Sequence, residues 1–266
     1  MKKLAWLTDI HLDFLKLEQI QEFCYKALES NPDAFVISGD LSIATALHTH
    51  LRILEHYWSR PIYFVLGNHD YYRGSIDGVR AALPPFLIKY PNLKWLPNEG
   101  VVKLSPTTAL IGHGLYADGR VGAGVASKII LNDYALIEEL TGHEQLHLFE
   151  ILRELGEKAA AEFEPVLRNA LAHYEKVIAV THAPPFVESA WFHHVLANDQ
   201  FLPHLVCFAV GEMMRRVMGE NPEKHLTVLC GHTHGRGERE ITGNIFVKTG
   251  GARYRHPKIQ EIISID

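Results

Sequence analysis

Apolar runs and helically spaced stretches alternate through the first third of the chain. Leu4 to Thr8 (LAWLT) is a short apolar run that gives way to Asp9. The following stretch, FLKLEQIQEFCYKALES, sets Leu17, Ile20, Phe23, Cys24, Ala27 and Leu28 at helical intervals. Ala34 to Ser38 (AFVIS) is a second apolar run and ends in Gly39-Asp40. Ile43 to Trp58 is helix-like again, and Ile62 to Leu66 (IYFVL) runs into Gly67-Asn68-His69-Asp70. Strand, helix, strand, helix, strand predicts a parallel sheet with helices packed on it. The strands read as continuous apolar runs, as strands covered on both faces should.

Beyond Asp70 the pattern predicts a helix, then a turn-rich stretch around Leu83-Pro84-Pro85 and Pro91-Asn92. VVKLS (Val101 to Ser105) and TALIG (Thr108 to Gly112) read as the arms of a hairpin around Pro106. Gly114 to about Ala126 is glycine-rich and loop-like. From about His143 to Tyr174, apolar residues recur every three or four positions. That predicts one long amphipathic helix, or two broken near Gly156 or Pro165. KVIAV (Lys176 to Val180) then leads to Thr181-His182, and HLTVLC (His225 to Cys230) leads to GHTHG. NIFVKTGG and KIQEIISI read as closing strands of a second sheet. The expectation is a single domain over residues 1–266, with a helical insertion or cap at about 114–174.

Composition narrows the class. The chain has 266 residues, 47% hydrophobic and 21% charged, enough to bury a sizeable core. A net charge of -5 argues against a broad nucleic-acid surface. Cys24, Cys207 and Cys230 are odd in number and far apart, which suits reduced thiols. In MKKLAWLTDIHLDF, Asp9 comes too early for a signal-peptide h-region, and no apolar run is long enough to span a bilayer. The expectation is a cytoplasmic protein without a transmembrane segment; oligomeric state is left open. Seventeen histidines are many, and they direct attention to metal ligation.

The polar residues gather where the strands end. In an open parallel sheet the carboxyl ends of neighbouring strands share one edge, and ligands bind there. Five such ends carry DIH, GD, GNHD, TH and GHTH in order. Each alone is weak: a D-x-H loop, a Gly-Asp turn and a single histidine are common. His232 and His234 are stronger, because alternate residues of an extended segment point the same way. Together they supply the carboxylate, imidazole and amide donors of a dinuclear site, and such donors admit Mn, Fe or Zn. Two cations can clamp both sides of an in-line phosphoryl displacement.

D-x-H, G-D, G-N-H-D, H and G-H-x-H in this order resemble the signature of calcineurin-like metallophosphoesterases, from Leu4 to about Gly251. The resemblance implies a four-layer α/β/β/α sandwich of two mixed sheets. It implies one metal held by Asp9, His11, Asp40 and His234, and another held by Asp40, Asn68, His182 and His232, with Asp40 bridging. His69 would stay off the metals and assist the leaving group while a metal-bridging hydroxide attacks in line. The cofactors would be two divalent ions, or iron with a divalent ion. Many protein phosphatases of the superfamily place an aspartate three residues after the G-D aspartate and an arginine one residue after G-N-H-E. Those positions hold Ile43 and Tyr71 here. A phosphate-ester small molecule or nucleotide, as a phosphodiester, is therefore the favoured substrate. A phosphomonoesterase, a protein phosphatase and a non-catalytic scaffold of the same fold are the alternatives; cleavage of a lipid-linked pyrophosphate would need an exposed apolar cap.

The remaining candidates carry two readings each. Asp70 orients His69 or caps the next helix, with the structural reading favoured. Arg73 contacts phosphate or covers a helix start. His113 reaches the site or sits in a polar loop. Trp191, Phe192, His193 and His194 line a pocket or belong to the core, the core being favoured. Arg236 sits at the rim, and Arg253 and Arg255 are solvated. The loop LYADGRVGAGVAS lacks the Gly-Lys-Ser/Thr of a P-loop, so Gly122 and Gly124 supply flexibility, as in a lid.

Overall fold

The computed structural model describes residues 1–192 and 195–266. Its elements in order are β1 (Lys3–Leu7), α1 (Leu17–Leu28), β2 (Ala34–Ser38), α2 (Leu47–Trp58), β3 (Ile62–Val65), α3 (Ile76–Leu87), β4 (Leu93–Trp95), α4 (Leu96–Glu99), β5 (Val102–Lys103) and β6 (Thr108–His113). Then come α5 (Asp133–Leu136), α6 (Gln145–His173), β7 (Lys176–Thr181), β8 (Trp191–Phe192), β9 (Val195–Leu196), α7 (Leu202–Leu205), α8 (Phe208–Gly219), β10 (His225–Cys230), β11 (Gly237–Thr242), β12 (Ile245–Thr249) and β13 (Glu261–Ser264).

Successive strand residues point to opposite faces, and here both faces are buried. Ala5, Leu7, Phe35, Ile37, Ile62 and Phe64 pack with residues of α1, α2 and α3 in one core. Their neighbours Leu4, Trp6, Val36, Tyr63 and Val65 pack against Leu110, Ile178, Val180 and Leu229 of the other sheet. The far face of that sheet meets Phe163 and Leu167 of α6 and Val210, Met213 and Met214 of α8. The result is the expected α/β/β/α sandwich. One sheet has the order β13-β1-β2-β3-β4, the other β11-β12-β10-β7-β6-β5. Both are mixed: β1, β2 and β3 are parallel, as are β6, β7, β10 and β12, while β13, β11 and β5 join antiparallel.

Three expectations need correction. KIQEIISI does not close the second sheet: β13 pairs with β1, Lys3 opposite Ser264 and Trp6 opposite Glu261. It covers what would otherwise be an open edge of β1. Pro84 and Pro85 do not form a turn but lie within α3, whose Leu83 is fully buried. Burial of that face offsets the missing backbone donors. The glycine-rich stretch is pinned rather than free, since Asp118, Gly119 and Ala123 donate backbone N–H groups to Val206, Pro203 and Asp199.

The long amphipathic pattern resolves as one helix, α6, running through both Gly156 and Pro165. Its Leu148, Phe149 and Leu152 join the core of the first sheet, and its Ala159, Phe163 and Leu167 that of the second. The hairpin of β5 and β6 forms as expected, with Val102 opposite Leu110. No helix among the described residues is long and apolar enough to cross a membrane. The three cysteines are free and buried.

Candidate metal centre

The parallel ladder of β1 and β2 continues past the strands and sets the first two motifs side by side. Asp9 N–H donates to the Gly39 carbonyl at 3.1 Å, and His11 N–H to the Asp40 carbonyl at 3.0 Å. Across the sandwich, Gly231 N–H donates to the His182 carbonyl and His182 N–H to that of Gly114. The five strand ends thus converge. Space there is so tight that glycine is required on steric grounds. A Cβ at Gly67 would lie 2.2 Å from Asp40 Oδ1, and one at Gly231 would lie 2.2 Å from Asp9 Oδ2. Asp9, His11, Asp40, His232 and His234 all have positive φ, a region that residues other than glycine enter rarely and mostly at functional sites.

Two donor sets result. In the first, Asp9, His11, Asp40 and His234 bring ligand atoms within 4.8 Å of one another. His11 Nε2 is 3.2 Å from His234 Nε2 and 3.7 Å from Asp40 Oδ2, and His234 Nε2 is 3.4 Å from Asp9 Oδ1. In the second, Asn68 Oδ1 is 2.8 Å from His182 Nε2 and 2.9 Å from His232 Nδ1. Asp40 Oδ1 lies 3.3 Å from His182 Nε2, so Asp40 borders both sets.

In the second set the hydrogen-bond partners decide what the donors fit. The carbonyl of Ser38, 2.9 Å from His182 Nδ1, can only accept, so the ring proton sits on Nδ1. The carbonyl of His204, 3.0 Å from His232 Nε2, fixes that ring likewise. Asn68 donates from Nδ2 to Asp133 Oδ1 at 3.0 Å, which turns its Oδ1 inward. With each ring's other nitrogen donating to its carbonyl, two imidazole nitrogens and an amide oxygen converge on one point. Acceptors in such contact fit a cation, and backbone carbonyls that orient the rings are what metal-ligating histidines ordinarily have.

The charges agree. Burial pushes Asp40 well above the usual carboxylate range, and the nearby charges of Asp9 and Asp70 add to it. Burial also raises Asp9, but the hydrogen bond and charge of His234, with His182 and His11, outweigh it and hold Asp9 below the usual range. Burial lowers His182 to about 3 and His11 to about 2, which keeps both rings neutral and free to donate a lone pair.

His69 stands apart from both sets. Its Nε2 is 4.0 Å from Asp40 Oδ2, and its side chain is 13% exposed. The ring stacks on Tyr72 at 4.1 Å, and burial lowers its pKa to about 4. Asp70 neither orients His69 nor caps the next helix. Its Oδ1 accepts from Leu41 N–H and Ser42 N–H, and its Oδ2 from Gly67 N–H. It ties the loop after β2 to the loop after β3, and Ser75 caps α3 instead. Ile43 packs against the core and Tyr71 is buried.

The other candidates belong to neither donor set. His113 Nε2 pairs with Glu162 at 3.0 Å. Arg73, Arg236, Arg253 and Arg255 are exposed. The Phe192 ring meets Phe201, centroids 4.8 Å apart, while His193 and His194 lie outside the described residues. Sequence reading missed the supporting residues. Asp133 accepts from Asn68, from the Tyr72 hydroxyl at 2.5 Å and from the Tyr116 hydroxyl. His204 is held by Tyr134 and by Ser127, 2.9 Å from its Nε2. Neither belongs to a motif, and only the fold brings them to the strand ends.

Matched against protein families, residues 2–236 fit the model described as calcineurin-like phosphoesterase. No curated protein matches the sequence. Among solved structures, phosphopantetheinyl hydrolase from Mycobacterium tuberculosis is similar over 99% of this chain and 95% of its own, with a TM-score of 0.69 and 13% identity. A dimetal phosphatase from Danio rerio is similar over 96% of this chain and 89% of its own, with a TM-score of 0.61 and 12% identity. At such identities the likeness speaks to fold.

Proposed function

The chain belongs to the calcineurin-like phosphoesterase family, a family of metal-dependent phosphoester hydrolases, and from that premise we propose that it cleaves a small-molecule or nucleotide phosphodiester at a two-metal centre. Asp9, His11, Asp40 and His234 would hold one ion and Asp40, Asn68, His182 and His232 the other. The observation that carries this reading is the convergence of His182 Nε2 and His232 Nδ1 on Asn68 Oδ1 while the opposite ring nitrogens meet backbone carbonyls. The mixture of carboxylate, amide and imidazole donors suits Mn, Fe or Zn. When bound, the two ions offset phosphoryl charge and make water nucleophilic near neutral pH.

The chain's own residues supply orientation and the proton. Ser38 and His204 aim the rings of His182 and His232, and Asp133 aims Asn68. His69, outside both donor sets and partly open to solvent, faces the phosphoryl group and serves the departing oxygen. Ile43 and Tyr71 stand where many protein phosphatases of the superfamily have an aspartate and an arginine, which favours small esters over phosphoproteins.

Turnover of bis-p-nitrophenyl phosphate and p-nitrophenyl phosphate by the Mn-loaded chain tests the reading. The diester should show the higher kcat/KM. Metal bound with neither ester hydrolysed removes the reading; preference for the monoester replaces it with a phosphomonoesterase. Asp133→Ala supplies a second test. Asn68 then loses its orienting acceptor, and two tyrosine hydroxyls lose a buried partner. Mn affinity should fall about 10- to 100-fold, and stability by about 1–3 kcal/mol. Metal titration with thermal melting checks both, and unchanged affinity would mean that Asp133 acts on the fold alone.

A further inference from the structure

Two aromatic rings lie open beside the metal centre, and the reading so far gives neither a task. Phe14 lies three residues after His11, and Tyr254 sits in the segment between β12 and β13. Their ring centroids are 4.7 Å apart. Tyr254 also stands 4.6 Å from the His11 ring, 5.0 Å from that of His234 and 6.2 Å from that of His69. Yet each of the two residues is 41% exposed.

A single exposed aromatic residue needs no explanation. Two in mutual contact, their planes 43° apart and one of them beside three imidazoles of the site, form a partly exposed aromatic pair. Among the described residues the Tyr254 hydroxyl has no hydrogen-bond partner, so the ring is not held there by its polar end. Arg253 and Arg255 flank it, both exposed and without a carboxylate partner among the described residues. An exposed aromatic pair with two cations next to it in the chain suits a ligand that is both aromatic and anionic.

We infer that Phe14 and Tyr254 form a stacking subsite for an aromatic group, a nucleobase or aryl ring, on the leaving side of the ester. The side is assigned from His69, whose ring centroid is 6.2 Å from that of Tyr254: a group whose oxygen His69 would serve departs within reach of the pair. Aromatic rings stack on such pairs without a hydrogen-bond code, so the subsite selects for a ring and not for one base. The subsite rests on the phosphoesterase reading of the neighbouring donors and narrows its substrates from phosphodiesters in general to those with an aromatic leaving group.

AMP and ribose 5-phosphate share phosphate and sugar and differ by the base, so calorimetric titration of the Mn-loaded chain with each isolates the ring. AMP should bind about tenfold more tightly. In the Phe14→Leu/Tyr254→Leu double variant, which keeps apolar cover over His11, AMP should weaken to the level of ribose 5-phosphate. The affinity of ribose 5-phosphate itself should hold. Equal binding of the two ligands by the unaltered chain, no binding of AMP, or a base preference that survives the double variant overturns the subsite. The comparison in the unaltered chain stands even if the variant does not fold. Turnover of bis-p-nitrophenyl phosphate by the same preparation separates the two failures. Turnover without base preference removes the subsite alone, whereas a metal-loaded chain that hydrolyses no ester removes the parent reading.

Discussion

Asp40→Asn should lower turnover on the order of a thousandfold while leaving the metal-free protein at least as stable as before. The two halves of this expectation have one cause. Asp40 is buried beside Asp9 and Asp70, and its carboxyl is pushed well above the ordinary range. Without cations a charge there is a burden. The amide keeps an oxygen for the His69 N–H, which Asp40 Oδ1 accepts at 2.9 Å. With cations the charge becomes the link between two donor sets, and losing it forfeits several kcal/mol of transition-state stabilisation. Melting curves with and without Mn, run beside a diester assay, check both halves. The unaltered chain should gain about 4 kcal/mol at a thousandfold excess of metal over its dissociation constant, and the variant much less. A variant that keeps both the metal-dependent gain and turnover would remove Asp40 from the centre.

His69→Ala should divide substrates by their leaving groups. A positioned general acid contributes about 10²- to 10⁴-fold where the departing oxygen is basic. An alkyl diester should lose about that much in kcat, and a p-nitrophenyl diester far less, because its phenolate leaves unaided. Bound Mn should not change, since His69 lies outside both donor sets. Burial holds the ring down to about 4, so in the free protein it is neutral at pH 7. An anionic phosphoryl group beside it would raise its proton affinity. Equal losses for both esters would make His69 a donor to the phosphoryl oxygens only; no loss would leave it without a part in the reaction.

What the sequence disclosed was local. Each strand end is an apolar run followed at once by a polar cluster, so Asp9, Asp40 and Asn68 could be placed at one sheet edge from patterning alone; His182 and His232 end strands of the other sheet, and the packing of the two sheets brings them to the first. Residues that act on these from a distance were not legible. Asp133 is 65 positions from Asn68 and sits in a short helix without a motif. His204 reaches His232 through a backbone carbonyl, which carries no trace of side-chain identity. The strand β13 had the right pattern, but alternation does not say which edge it will join. Asp70 misled by adjacency: its neighbour in sequence is His69, while its partners are amides of two separate loops.

That last residue bears on which ion the centre takes. By holding Leu41, Ser42 and Gly67 to one carboxylate, Asp70 fixes the loops that carry Asp40 and Asn68 before any metal arrives. A compliant cage closes around whatever ion enters. A cage whose width belongs to the polypeptide discriminates among ions by their radius and preferred geometry.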